Sequence, residues 1–255
     1  MIAYLSTLPI WGSGILLVAL PTVLAMCGPV LIRKRIALEK LTTNNEIAGF
    51  KFATVGVIYA VLLAFAVIVV WERFSDGESA AGAAATFYRL NWASTPDAAS
   101  ARAAMTKYLA IASEQGWAAM ERERESDEAT RALNDVYAAT TKLAKEGSIP
   151  PPLVSAMFQQ LDTMTYARRT RLHLSSGIVP PVLWVVLFSG AALTIAFTFF
   201  FATENLSAQV MMTGILSVIV LMGLWVIVTI DHPFSGPIHI ENTPLQHVMH
   251  DFGRS

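Results

Sequence analysis

An all-α membrane protein is the fold class this sequence predicts: four transmembrane helices in two pairs, with a helical extramembrane domain between them. Three observations carry that expectation. Hydrophobic residues fill 54% of the 255 positions against 15% charged, and the mean hydropathy is +0.51, too apolar for an ordinary soluble domain. Four runs, Ile10–Ile32, Phe52–Trp71, Ile178–Phe201 and Ala208–Ile230, reach the roughly 20 mainly apolar residues a crossing helix needs. Between the second and third runs, apolar residues recur at helical spacing and no alternating stretch supports a sheet.

The first run has no Lys or Arg before it and is too long for a signal-peptide core, so it is expected to be a retained span. Leu24-Ala25-Met26-Cys27-Gly28 has a lipoprotein-like outline, but bulky Met26 and the missing basic start argue against cleavage. Cys27 is the single cysteine, which excludes an intrachain disulfide. The second run belongs to a longer stretch, NNEIAGFKFATVGVIYAVLLAFAVIVVWERF, from Asn44 to Phe74. No Pro interrupts it before Asp76-Gly77, and one Gly costs a helix only about 1 kcal/mol. A single rod continuing past Trp71, with Ser79 to Leu90 as its extension, is therefore predicted.

In the polar region, Thr95-Pro96 reads as an N-cap followed by Pro at the first helical position. The helix it opens places Met105, Tyr108, Leu109 and Ala112 on one face. Ser126-Asp127-Glu128 starts the next, with Leu133, Val136, Tyr137 and Thr140 aligned, and Gly147 ends it. A third starts near Leu153 after Pro150, Pro151 and Pro152, carrying Met157, Leu161 and Met164. These stripes are read as packing faces. The predicted organisation is residues 1–74, first helix pair; 75–177, extramembrane helical domain; 178–231, second helix pair; 232–255, a tail whose Thr243-Pro244 with Gln246 begins a short helix.

A net charge of −1 supplies no basic field for nucleic acid. No phosphate-cradling Gly loop, HExxH or GxSxG is present, so no catalytic set converges and no enzyme is expected. Of the five histidines, His247 and His250 lie three apart beside Asp251, but with no further ligand assured neither a metal nor another cofactor is expected. The alternating Glu121, Arg122, Glu123, Arg124 and Glu125 read as a solvated helix face with local ion pairs, and Arg168, Arg169 and Arg171 as membrane-surface contacts. Arg33-Lys34-Arg35 directly after the first span places the loop between the first two spans in the cytoplasm, with the termini and the middle domain outside. Lys40 and Lys51 add to that side, while Arg73, the three arginines and Arg254 balance them, so the first helix decides.

The second span carries two strips. Gly49, Ala53, Gly56, Ala60 and Ala64 form a small-residue strip suited to close helix packing. Val57, Val61 and Phe65 recur four apart on another strip, which faces either lipid, a neighbouring helix, or a pore axis as a hydrophobic constriction that gates by dewetting. Glu46 and Lys51 lie at the membrane edge, as snorkelling groups or as charges at a pore mouth.

NNEIAGF, LLAFAVIVVWERFSD, Pro180-Pro181-Val182-Leu183-Trp184 and DHPFSGP after the fourth span resemble the bestrophin-like domain, a bacterial membrane family distantly similar to bestrophin anion channels. With the four-span layout, the resemblance covers nearly the whole chain. It implies a homo-oligomeric ion channel in the bacterial inner membrane, pentameric by analogy, whose partners are further copies of the chain, the lipid bilayer and inorganic ions, with anions permeant. The neck positions of bestrophins match Val57, Val61 and Phe65, with Trp71-Glu72-Arg73-Phe74 following. Asp231-His232-Pro233-Phe234-Ser235-Gly236 is similar to the Asn-Pro-Phe-Gly segment after the last bestrophin span. Calcium-activated members carry an acidic run there; this chain has Pro237-Ile238-His239-Ile240, and a calcium switch is not expected. Bestrophins keep their termini and middle region in the cytoplasm, the reverse of what Arg33-Lys34-Arg35 predicts. The alternative function is a non-conducting membrane sensor or interaction protein that binds a partner through its helical domain. A transporter is a weaker third reading, because no pair of broken midplane helices is visible.

Overall fold

The computed structural model describes residues 9–43, 45–82, 96–147, 150–201, 203–235 and 238–242, with side chains of 76–82 and 96–98 excepted. Among the described residues every regular element is helical. The helices are α1 (Ile10–Arg35), α2 (Leu38–Thr42), α3 (Asn45–Gly82), α4 (Pro96–Ile111), α5 (Trp117–Met120), α6 (Asp127–Lys145), α7 (Pro151–Ser175), α8 (Pro181–Thr198) and α9 (Leu206–Ile230). The chain forms two compact units: residues up to Glu72 with Ile178–Asp231, and Arg73–Gly177 with the residues from His232 onward.

The first unit holds the four helices long and apolar enough to span a bilayer, α1, α3, α8 and α9. Its helix ends follow local chemistry. Pro180 and Pro181 open α8, where a missing N–H costs nothing. The Asn205 side chain accepts from the Ala208 N–H at 3.2 Å and caps α9. α1 carries Pro21 and Pro29; its π turn, Ile15–Ala19, ends two residues before Pro21, whose absent N–H leaves the regular ladder incomplete. α1 runs antiparallel to α9: Trp225 donates to the buried Ser13 hydroxyl at 3.0 Å near one end, and Met26 packs on Gly214 further along. A Cβ at Gly28 would stand 2.5 Å from the Phe199 ring, so the glycine is what lets α1 meet the end of α8. Three buried polar side chains are tied to backbone carbonyls, which spares them an unpaired donor in an apolar setting: Thr198 donates to Ile195 C=O at 2.6 Å, Ser217 to Thr213 C=O at 2.7 Å, and Gln209 to Phe201 C=O.

α3 continues past Trp71 and through Asp76-Gly77 to Gly82, the rod the sequence predicts. Residues 83–90 of the expected extension lie outside the described residues, as do the short helix from Thr243 and the pair His247 and His250.

In the second unit, the predicted stripes meet in one core. Met105, Tyr108 and Leu109 of α4, Leu133, Val136 and Leu143 of α6, and Met157, Leu161 and Met164 of α7 pack together. Ser126 caps α6 by accepting from the Ala129 N–H at 3.2 Å; Asp127 and Glu128 sit in its first turn, Lys142 and Lys145 in its last, each charge favourable to the helix dipole. Gly147 ends it with φ +66°, where a Cβ would be strained.

Two charge readings are corrected here. Glu121–Glu125 do not lie on a helix face. They form the turn between α5 and α6, with Glu123 at φ +57°, and their partners are distant in sequence: Glu125 pairs with Arg168 at 2.8 Å, and Glu123 lies 3.5 Å from the His232 ring nitrogen Nε2. Arg168 and Arg171 are not surface contacts either. They continue the Leu161 and Met164 stripe at helical spacing, so α7 turns them inward. Arg168 also donates to Thr130 at 2.7 Å, and Arg171 is buried over the Trp117 ring, 5.8 Å from its centroid. Burial lowers the Arg171 pKa and raises that of Tyr108. Only Arg169 of the three is exposed.

A candidate pore-lining helix

α3 is the least enclosed span of the first unit. Only 11% of its apolar stretch is buried, against 22% in α1, 33% in α8 and 39% in α9. Its packed face is narrow: Phe52, Tyr59, Leu63 and Val70, at four- and seven-residue steps. Phe52 stacks with Phe197, centroids 5.7 Å apart, and meets Phe201 edge-on at 5.3 Å. Tyr59 is 5% exposed and donates its hydroxyl to Leu187 C=O at 3.0 Å. The clearance comes from glycines on the opposite helices. A Cβ at Gly190 would be 2.6 Å from the Tyr59 ring, and one at Gly223 would be 2.6 Å from Leu63. Neither glycine stands out in sequence, because each matters only through a residue far along the chain.

At about 100° per residue, Val61 falls roughly 180° and Val57 roughly 140° from the centre of that packed face. Both are open, 63% and 48% exposed. Phe65, 62% exposed, is rotated about 40° further than Val61 and lies on the rim of an apolar groove. Leu62, Val69, Ile178, Pro180 and Leu183 line this groove, which has a volume of about 200 Å³. The three neck candidates thus share the unpacked side of α3, with Val57 and Phe65 turned about 40° toward opposite flanks.

The small-residue strip occupies the other flank. Ala53, Ala60 and Ala64 are exposed, while Gly49 and Gly56 are half-buried. A Cβ at Gly49 would just touch Phe201 at 3.9 Å, and one at Gly56 would meet nothing within 4 Å. Within the chain this strip is unoccupied except at Gly49. Glu46 and Lys51, in the first two turns of α3, are exposed.

Asp231 is the residue sequence reasoning underrated. Its carboxylate accepts from the backbone N–H groups of Ile178 at 3.1 Å and Val179 at 2.8 Å, and its own C=O accepts from Ile178 at 3.0 Å. The end of α9 is thereby pinned to the entry of α8. The acidic start of DHPFSGP was the available signal. In the second unit, the rest of that motif packs Phe234 edge-on against Trp117 at 5.5 Å, and the Ile240 N–H returns to Pro233 C=O at 2.7 Å. Among the described residues no His, Cys, Asp and Glu group suited to a metal ion occurs.

Comparison with known proteins matches this architecture. The model of the bestrophin-like domain family matches residues 19–245. A bacterial bestrophin homologue from Klebsiella pneumoniae superposes with a TM-score of 0.70 at 14% identity, over 92% of this chain and 96% of that one. A crystal structure described as a membrane protein, in a single-substitution form, gives 0.71 at 15% identity over 92% and 96%. No curated protein matches the chain. With four spanning helices, an all-helical body and a family match over most of its length, the chain is a multi-pass membrane protein that belongs to the bestrophin-like domain family.

Proposed function

We propose that the protein assembles into a homo-oligomeric ion pore in which α3 lines a hydrophobic neck. One observation carries the reading: α3 seats one narrow face on its own chain and turns Val57 and Val61 the opposite way, with Phe65 close by. Copies arranged about an axis would meet there as an apolar ring, a constriction that hydrated ions cross only when it is wide or wetted. Glu46 and Lys51 would be charges at the mouth of that path. By analogy with bestrophins, the permeant species are anions, the assembly is a pentamer and the membrane is the bacterial inner membrane. The family match supports the fold; passage of ions is the step added here.

Purified protein in planar bilayers under asymmetric salt tests the reading. Reproducible currents with a defined reversal potential are expected, and the sign of that potential gives the selectivity. A protein that is oligomeric but electrically silent in every condition would favour the non-conducting sensor.

A further inference from the structure

We infer that the two flanks of α3 are complementary halves of one subunit seam, so that each copy docks its small-residue flank against the bulky flank of the next. The inference rests on the pore reading above. Closed rings are built from heterologous interfaces, in which one patch meets a different patch on the neighbour. α3 supplies two such patches. With its packed face outward and Val57 and Val61 toward an axis, Ala60 and Ala64 lie on one flank, and Leu62 and Val69 on the other, separated by roughly 140–200° around the helix.

Two features pair by height along the rod. At its start, the acidic and basic heads are divided between the flanks: Glu46 leans to the small-residue side and Lys51 to the bulky side, about 140° apart. Both are exposed, and no ion pair joins them within the chain. They lie about 7.5 Å apart along the axis, a span their side chains cover, so Glu46 of one copy meets Lys51 of the next. In the middle, Leu62 is 45% exposed and sits between the heights of Ala60 and Ala64, whose missing bulk admits it. Small residues of this kind gain nothing against lipid but permit close helix approach. One occupant, a second copy, satisfies charge, size and height together.

The test uses full-length protein with Cys27→Ser, since the native thiol is exposed, carrying Ala60→Cys and Leu62→Cys in one chain. Two positions apart on one helix, these thiols point to different sides and cannot bridge within a chain. Mild oxidation in the membrane should produce a covalent ladder ending in a closed ring, while either cysteine alone produces none. As an independent readout, Glu46→Lys or Lys51→Glu should each weaken assembly roughly two- to fivefold per interface at low salt in native mass spectrometry, and the double reversal should restore it. An oligomer that yields no ladder, or a double reversal no better than the singles, overturns the seam and leaves the pore reading standing; acyl chains in the groove would give that result. A protein that is monomeric throughout overturns both.

Discussion

The seating of α3 can be tested at Gly190. Gly190→Ala places a Cβ 2.6 Å from two ring carbons of Tyr59, about 1 Å inside ordinary carbon–carbon contact. The ring has little freedom to retreat, being 5% exposed and tethered through its hydroxyl to Leu187 C=O at 3.0 Å. Overpacking of this kind costs about 1–3 kcal/mol. For a chain of this size, each kcal/mol lowers the unfolding midpoint by about 2–4 °C, so a fall of about 2–12 °C is expected. The assay is heating in detergent followed by size-exclusion detection, at one fixed heating rate because such unfolding is irreversible. Tyr59→Ala is destabilising on its own, but in that background Gly190→Ala should be harmless or mildly stabilising, since Ala favours the helix. Gly56→Ala, whose Cβ meets nothing within 4 Å, should leave the midpoint unchanged or raise it. If Gly190→Ala has the same effect with and without the Tyr59 ring, this contact does not seat α3. The assignment of Val57 and Val61 to the opposite side then fails with it.

Three further outcomes are expected. Val57→Ala, Val61→Ala and Phe65→Ala should raise conductance or open probability, Phe65→Ala most, whereas Leu63→Met on the packed face should do little; single-channel recording showing all three unchanged would remove the neck. Glu125 is held below the usual carboxylate range by the hydrogen bond from Thr130 and then by Arg168. Its contribution is therefore present above the unfolded value of about 4.3 and lost as pH falls through the lowered folded value. Thermal midpoints measured below pH 5 should show a wild-type loss that Glu125→Gln lacks, worth under about 1 kcal/mol because the carboxylate is 52% exposed; identical acid profiles would contradict this pairing. Reporter fusions at Thr43 and Glu125 should label opposite sides of the membrane, Thr43 inside, as Arg33-Lys34-Arg35 predicts; cytoplasmic signal at Glu125 would give the bestrophin orientation instead.

Run length and period are properties of the chain itself, and they determined the four spans, the unbroken α3 and the three stripes of the middle core. Met105, Val136 and Leu161 pack where their spacing predicted because a helical face is set by local geometry alone. The cap at Ser126 was legible for the same reason: its partner, the Ala129 N–H, lies within one turn. Charge was misread where its partner was distant. Glu123 meets His232 and Glu125 meets Arg168, and Arg171 goes inward onto Trp117, pairings that no local rule contains. Only the tertiary structure decided which way α3 faces. Its strips were visible in the sequence, but whether Val57 or Tyr59 points at the chain's own helices depends on Gly190 and Gly223, more than 100 residues away. A helix apolar on every side has no preferred inward face until a neighbour makes room for one, and here two glycines on α8 and α9 make that room.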